Sequence, residues 1–260
     1  MAMTISEKIL GRASGRQAAR AGEFLEAEAD LTVTNDTSGH LLARIFQEAG
    51  VPRILHPDRF ALLLDHFVPS NSPDTARMHR ISREFVQQHG VVNFFDVNEG
   101  NHLQVPMEKG LVRPGMFIPG NDSHCTMFGA VGAFGTGIST TECVELLALG
   151  KLWFKVPKTV RFDLVGEWPA GVMSKDVILH IAGKLTANGA NYRTMEFAGP
   201  AIRTLDMDGR MTLCNMAVEI GAKAGIVEPD DVTLAWAGPR ARGPFEVVKN
   251  DPDAEFEAVH

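Results

Sequence analysis

Cysteine, clustered basic residues and long apolar runs are scarce in this 260-residue sequence, and each scarcity excludes a class of protein. The three cysteines, Cys125, Cys143 and Cys214, are far apart and form no CxxC pair. The sequence therefore predicts neither a disulfide framework nor a zinc knuckle. No apolar stretch is as long as a membrane span, and residues 1–15 lack the apolar block of a signal peptide. We therefore expect a cytoplasmic protein that does not bind a membrane.

Positive charge is also in short supply. Lysine and arginine number 25 against 32 acidic residues, the net charge is −7, and the basic residues form no long run. This balance argues against a nucleic-acid-binding surface. With 45% hydrophobic residues, the chain can bury a substantial core, and its length is that of one large or two modest domains. We place a boundary near residue 190, which divides the chain into residues 1–190 and 191–260.

What the sequence contains in abundance is alternating helix and strand patterns. Thr4 and Glu7 form a capping box that begins a helix, and Ser72, Pro73 and Gly90 punctuate another over residues 72–90. Strands are predicted at 30–35, 59–67 and 91–95, and within 156–171 as a strand pair or a strand with turns. Further helices are predicted at 38–50, 139–150, 174–187 and 208–222. Such alternation is typical of a layered α/β protein.

Polar side chains follow four of the predicted strands at the points where the strands end. They are Asp36, then Asp65 with His66, then Asn98, Glu99 and His102, and then Asp122 with His124. Ligands of α/β proteins gather beyond the carboxyl ends of strands. One such cluster alone is more simply read as a turn, but four in series favour a functional site. A carboxylate beside an imidazole suits general acid–base chemistry near neutral pH.

One further polar pair lies within residues 209–225. Asn215 and Glu219 are four residues apart and share a face of the predicted helix. An exposed polar pair is one interpretation. The low polarity of the segment favours the other, in which the amide and the carboxylate face a ligand.

Several blocks of the sequence resemble the aconitase superfamily, in the family's order and over nearly the whole chain. Among them are "LLLDHFVPSNSPDTARMHRISREF", "GNDSHCTMFGAVGAFGTGISTTE" and "RMTLCNMAVEIGAKAGIVEPD". The resemblance is greatest to the branch that contains 3-isopropylmalate dehydratase large subunits and homoaconitase-like enzymes. It implies layered α/β/α domains with mixed sheets. It also implies a hydro-lyase that removes and re-adds water on a hydroxy acid, using a [4Fe-4S] cluster whose open iron binds the substrate.

The resemblance assigns roles to the polar clusters. Asp65 and His66 match the family's Asp-His pair, and Asp122 and His124 match the acid and imidazole of its "DSH" block. Ser123 is the serine of that block, and it is expected near the substrate. Glu219 matches the carboxylate that partners the second imidazole, and Asn215 matches an asparagine near the cluster. His40 falls where aconitases place a glutamine that contacts substrate.

The sequence departs from the family around His102. The family's histidine aligns with Leu103, so His102 lies one residue early. Either His102 serves after a local shift of the chain, or this acid–base residue is missing.

The largest departure concerns the cluster. The family's cysteine ligands lie in a "GSCTN"-like block and a CxxC pair, C-terminal to the region that matches here, and this sequence stops at His260 before either. The resemblance therefore implies a C-terminally truncated chain with no metal ligands of its own. A C-terminal cluster-binding segment and a small swivelling subunit or domain, which carries the serine base, would be needed as partners. We expect the chain alone to be inactive. The alternative is a non-catalytic fragment or a dicarboxylate-binding domain without a cluster.

Overall fold

Helices and strands alternate along the protein, as the sequence predicts. The structure, a computed structural model, describes residues 2–260. Its α-helices are α1 (Ile5–Ala13), α2 (Asp36–Glu48), α3 (Pro73–His89), α4 (Gln104–Glu108), α5 (Thr140–Leu149), α6 (Ser174–Leu185), α7 (Pro200–Arg203), α8 (Met207–Asn215) and α9 (Asp231–Ala237). Its strands are β1 (Phe24–Glu28), β2 (Thr32–Asn35), β3 (Phe60–Leu63), β4 (Asn93–Phe95), β5 (Phe117–Gly120), β6 (Phe134–Gly137), β7 (Lys151–Lys155), β8 (Lys158–Asp163), β9 (Arg193–Ala198), β10 (Ala224–Val227) and β11 (Ala258–Val259). Short 3-10 helices cover Pro57–Arg59, Ser123–Val131, Met216–Ile220 and Gly238–Arg240.

The strands form both parallel and antiparallel sheets, which confirms the predicted α/β class with mixed sheets. One parallel sheet has the order β2-β3-β4, and β5 pairs in parallel with β6. A four-stranded parallel sheet has the order β10-β9-β8-β11. Strands β1 and β7 form an antiparallel pair whose side chains alternate between exposed and buried.

Local capping explains where the principal helices begin and end. Thr4 and Glu7 form the predicted capping box at α1. Ser72 accepts a hydrogen bond from the Thr75 amide to begin α3, and Gly90 ends that helix with φ 66°. This left-handed conformation favours glycine, because glycine has no Cβ to clash with the backbone.

The predicted helix at 208–222 is corrected in one respect. The α-helix ends at Asn215 and continues as a 3-10 helix to Ile220. Glycine 221 then turns the chain with φ 88°, and β10 begins at Ala224. Asn215 therefore ends the α-helix, and Glu219 lies near the end of the 3-10 helix that follows. The two residues do not share one face of a regular α-helix, because the 3-10 helix is wound more tightly.

The largest buried cluster joins distant parts of the chain. It includes Val33 of β2, Phe128 of the 123–131 helix, Phe197 of β9 and Leu213 of α8. Strands β8 and β9, from either side of residue 190, pair with each other. The division of the chain near residue 190 stays a prediction.

Within residues 2–260, no helix combines the length and the apolar character that crossing a bilayer requires.

Candidate active site

Most of the predicted site residues follow the carboxyl ends of parallel strands, whereas His40, Asn215 and Glu219 lie on helices. Strands β2, β3 and β4 pair so that Asn35 is opposite Leu63, and Leu63 is opposite Phe95. Their carboxyl ends therefore meet at one edge of the sheet. Strand β5 is tied to the same edge, because the amide of Asn121 donates to the carbonyl of Val33.

Asp65 is the centre of the first group of side chains. Its Oδ1 accepts a hydrogen bond from His66 Nδ1 at 2.7 Å. Its Oδ2 accepts from His102 Nδ1 at 2.8 Å and from the His102 amide at 2.7 Å. The Asp65 and His102 side chains are almost fully buried, whereas the His66 side chain is 40% exposed. One carboxylate thus orients a buried imidazole and an open one.

His102 carries a proton at neutral pH. Burial lowers the pKa of its imidazole, but the carboxylates of Asp122 and Asp65 outweigh that effect and raise the pKa to about 9. Asp122 Oδ2 is 3.6 Å from His102 Nε2, a distance at which the attraction is electrostatic. Burial raises the pKa of Asp65, yet its hydrogen bonds with His102 lower it to about 2. Burial raises the pKa of Asp122, but the attraction of His102 outweighs it and holds this pKa below its ordinary value.

The structure decides which of the two residues near position 102 faces the site. Leu103 is buried in the main hydrophobic cluster with Val105 and Met107. His102 is the residue whose ring contacts Asp65. His102 therefore lies beside Asp65, and its service as the family's histidine stays a prediction.

A second imidazole–carboxylate pair joins His124 of the 123–131 helix to Glu219 of the 216–220 helix. His124 Nε2 is 3.0 Å from Glu219 Oε1, and its Nδ1 is 3.1 Å from the Ser123 hydroxyl. Asp122 caps this helix by accepting from the His124 amide at 2.7 Å. The His124 and Glu219 side chains are 35% and 55% exposed. Asp122 thus lies between the open His124 pair and buried His102.

His40 and Asn215 flank these groups without joining them. His40 Nδ1 lies 3.4 Å from the Asp36 carbonyl one helical turn earlier. The side-chain amide of Asn215 points to Met127 Sδ at 3.7 Å. The backbone carbonyl of Asn215 accepts a hydrogen bond from the Thr126 hydroxyl at 3.0 Å. Their predicted proximity to substrate or cluster stays a prediction.

Two further residues lie behind the site. The sequence marks Asp36 only by its place after a strand, and it gives no local signal for His79, which lies within the long helix α3. Their side chains meet in the interior, with His79 Nε2 3.0 Å from Asp36 Oδ2. Only the packing of α2 against α3 brings them together.

The cysteines of this chain do not fit a [4Fe-4S] cluster. Cys125, Cys143 and Cys214 are each fully buried, in the 123–131 helix, α5 and α8 respectively. Burial raises the pKa of all three thiols above the ordinary value. Iron is bound by thiolates, so buried neutral thiols on separate elements are unsuited to it.

Asp65, His66 and His102 have potential metal-ligand atoms within 4.8 Å of one another. An imidazole binds a metal in its neutral form, through a ring nitrogen with a free lone pair. In this group, Nδ1 of both rings instead donates to Asp65, at 2.7 and 2.8 Å. We assign no metal to this group.

Comparisons with known proteins agree with the resemblance inferred from the sequence. The model of the aconitase family (aconitate hydratase) matches residues 8–257. The chain is 46% identical over 259 residues to the probable 3-isopropylmalate dehydratase large subunit of Methanothermobacter thermautotrophicus, covering 100% of this chain and 62% of the relative. It is 41% identical over 260 residues to the 3-isopropylmalate dehydratase large subunit of Aquifex aeolicus, covering 100% of this chain and 60% of the relative.

A third relative, the probable methanogen homoaconitase large subunit of Methanothermobacter thermautotrophicus, is 42% identical over 262 residues, covering 99% of this chain and 61% of the relative. The chain thus spans about three-fifths of the length of these curated relatives. The family model covers nearly all of the chain, and the resemblance seen in the sequence is confirmed: the chain belongs to the aconitase family.

Proposed function

We propose that this chain supplies the acid–base part of a hydro-lyase site that dehydrates and rehydrates a hydroxy di- or tricarboxylic acid such as isopropylmalate. The observation that carries the proposal is the contact series from His66 through Asp65 and His102 to Asp122, beside the His124 and Glu219 pair. The names of the relatives, isopropylmalate dehydratase and homoaconitase large subunits, support the reaction class.

Dehydration of a hydroxy acid needs a proton for the leaving hydroxyl and a base for the hydrogen on the adjacent carbon. His66 and His124 are the two site imidazoles exposed enough to meet a substrate. In the proposal, one of them protonates the departing hydroxyl, and Asp65 or Glu219 stabilises the imidazolium beforehand. Buried His102 keeps Asp65 charged and oriented. In the reverse direction, the same imidazole takes a proton from the attacking water.

Family membership implies a [4Fe-4S] cluster, whose open iron would bind the substrate hydroxyl and carboxylate. The thiols of this chain do not fit that cluster. We therefore propose that its cysteine ligands come from a segment outside these 260 residues. The serine base is proposed to come from a small swivelling subunit or domain. We derive no step through the cluster.

The first prediction concerns iron. After anaerobic reconstitution with iron and sulfide and then desalting, the chain should retain close to zero iron atoms per chain, because its thiols are buried on separate elements. Metal analysis measures this directly. The full-length Methanothermobacter relative, treated identically, is the control for a working reconstitution. Close to four iron atoms per chain would show that Cys125, Cys143 and Cys214 rearrange into a site.

The second prediction tests the acid–base proposal. The chain alone should not dehydrate isopropylmalate or citrate. Activity should require co-production with the remaining segment of the Methanothermobacter large subunit and with its small subunit. In that complex, His124→Gln should lower kcat by about 100-fold or more, because general acid–base groups contribute that much. The ultraviolet absorbance of the unsaturated acid reports turnover.

His180→Gln is the matched control, because His180 is an exposed histidine on α6 that is not one of the site residues. It should leave kcat within about twofold. An active complex that is indifferent to His124→Gln would contradict the acid–base role, and turnover by the chain alone would contradict the need for partners.

The separated buried thiols favour a second candidate, a dicarboxylate-binding domain without a cluster. This candidate and the hydro-lyase proposal predict different binding by the chain alone. Calorimetry would then show the chain alone binding isopropylmalate more tightly than a monocarboxylate of similar size, and the added segments would bring no turnover.

A further inference from the structure

A carboxylate with no exposed surface lies directly behind the loop that carries His66. Asp36 is the first residue of α2, and its side chain is 0% exposed. Its Oδ2 is 3.0 Å from Nε2 of His79, whose own side chain is 3% exposed on α3. A carboxylate removed from water is costly unless its oxygens accept hydrogen bonds. The hydrogen-bond donors around Asp36 therefore show which groups this buried carboxylate holds in place.

Those partners are mostly in the site loop. Asp36 Oδ1 accepts from the backbone amide of His66 at 3.1 Å, and Oδ2 accepts from the amide of Phe67 at 2.9 Å. Oδ1 also lies 3.5 Å from His66 Nδ1, the atom that donates to Asp65. One side chain thus fixes two successive amides and places a second carboxylate beside the His66 ring.

Part of this loop borders open space. A cavity of about 290 Å³ lies next to it, lined by Val68, Pro69 and Ser70 of the loop and by His79. Open space beside a segment permits movement, because few contacts oppose it. The hydrogen bonds to Asp36 hold the backbone at the first two residues after Asp65, and Ser70 is held further along by Thr75. His79 sits where it can hold Asp36 in that orientation.

We propose that Asp36 and His79 form a positioning pair that fixes the backbone at His66 and Phe67 and so aims the exposed His66 imidazole. The importance of that aim for turnover rests on the proposed function, because an acid–base group misplaced by about 1 Å loses much of its effect. The positioning itself is a property of this chain, and it is measurable without substrate.

Three substitutions test the pair. Asp36→Asn replaces one acceptor oxygen with a donor, which cannot bond to a backbone amide. His79→Leu removes the side-chain N–H from Asp36, and His79→Gln keeps a donor there. Asp74→Asn is the matched control, because the Asp74 side chain is 78% exposed at the start of α3.

The readouts are amide hydrogen exchange at His66 and Phe67, and the imidazole ¹⁵N signals of His66. In Asp36→Asn, exchange at both amides should be about tenfold faster or more, and the His66 ring signals should shift. His79→Leu should change them in the same direction, His79→Gln should restore them, and Asp74→Asn should leave them unchanged. The amide of His102, held by Asp65, should stay protected in every variant.

Unchanged exchange and ring signals in a folded Asp36→Asn chain would overturn the proposal. If that variant does not fold, His79→Leu decides in its place, and wild-type behaviour of His79→Leu would overturn the proposal equally. A purely structural pair would lower stability but leave the His66 ring signals in place. No readout involves turnover. The positioning of His66 can therefore be demonstrated even if the hydro-lyase proposal fails, and the hydro-lyase proposal can hold even if the positioning proposal fails.

Discussion

Asp65→Asn is expected to lower the free energy of unfolding by about 3 kcal/mol near pH 6. Asp65 is the buried carboxylate between the His66 and His102 rings, and it also binds the His102 amide. An asparagine has one acceptor oxygen and no charge, so a buried imidazolium would lose its partner. His102 would then give up its proton, which limits the loss to the free energy of that deprotonation.

The effect of Asp65→Asn should depend on pH in a defined direction. The folded-state pKa of His102 is raised from 6.5 to about 9, so its stabilisation is complete below pH 6.5 and is lost as the pH rises to about 9. The folded-state pKa of Asp65 is lowered from 3.8 to about 2, so that stabilisation is lost as the pH falls through this range. The difference in unfolding free energy between Asp65→Asn and the wild type should therefore be largest between pH 3.8 and pH 6.5.

Urea unfolding at several pH values measures the loss, and the ring-proton NMR signal of His102 measures its pKa. In the variant, the His102 titration midpoint should fall by about 1–3 units. Asp208→Asn, an exposed substitution in the first turn of α8, should change stability by about 0.5 kcal/mol or less. A His102 midpoint that stays near 9 in Asp65→Asn would contradict the pairing.

Glu196→Gln is expected to remove a pH dependence of stability between about pH 4.5 and pH 7. Glu196 is 1% exposed on β9. Its Oε1 accepts from Asn250 at 2.8 Å and from Arg161 at 3.3 Å, while its Oε2 has no hydrogen-bond partner among residues 2–260. Burial raises its pKa from 4.5 to about 7; Arg161 and Asn250 oppose the rise, and Glu228 adds to it. A carboxyl group in such surroundings favours the proton.

Because the folded-state pKa of Glu196 is raised, its stabilisation is complete below the unfolded value of 4.5 and is lost as the pH rises to about 7. The wild type should lose about 3 kcal/mol of unfolding free energy across this range. Glutamine is always neutral, so the variant should lack this component and gain in relative stability as the pH rises.

Denaturant unfolding at pH 5, 6, 7 and 8 tests this expectation. Glu255→Gln provides the control, since Glu255 is exposed in the C-terminal segment, and its profile should match that of the wild type. Parallel profiles for Glu196→Gln and the wild type would show that Glu196 is charged throughout the range.

Much of the fold was predictable because its signals are local. The capping box at Thr4 and the Ser72, Pro73 and Gly90 punctuation of α3 depend on residues within a few positions of one another. The strand before Asp36 alternates polar and apolar residues, and the strand before Asp65 is a short apolar run. The end of α8 at Asn215 was not predictable in the same way, because a 3-10 helix uses the same residue types as an α-helix.

The site was partly predictable for the same reason. Imidazoles and carboxylates that follow successive parallel strands are expected at the same edge of the sheet, because the carboxyl ends of parallel strands lie on one side. Whether His102 or Leu103 faces Asp65 could not be read from the alignment, since a shift of one residue depends on how the loop packs. The contact between Asp36 and His79 also had no local signal.

The sequence by itself determined the α/β class, most helix starts, the aconitase family and the chemical groups at the strand ends, because these follow from local patterns and from motif order. Only the tertiary structure decided that Asp65 binds both His66 and His102 and that buried Asp36 contacts His79. It also decided that the three thiols are buried apart from any common site. The physical reason is that distance, burial and charge pairing arise between segments that are remote in sequence and meet only when the sheets and helices pack.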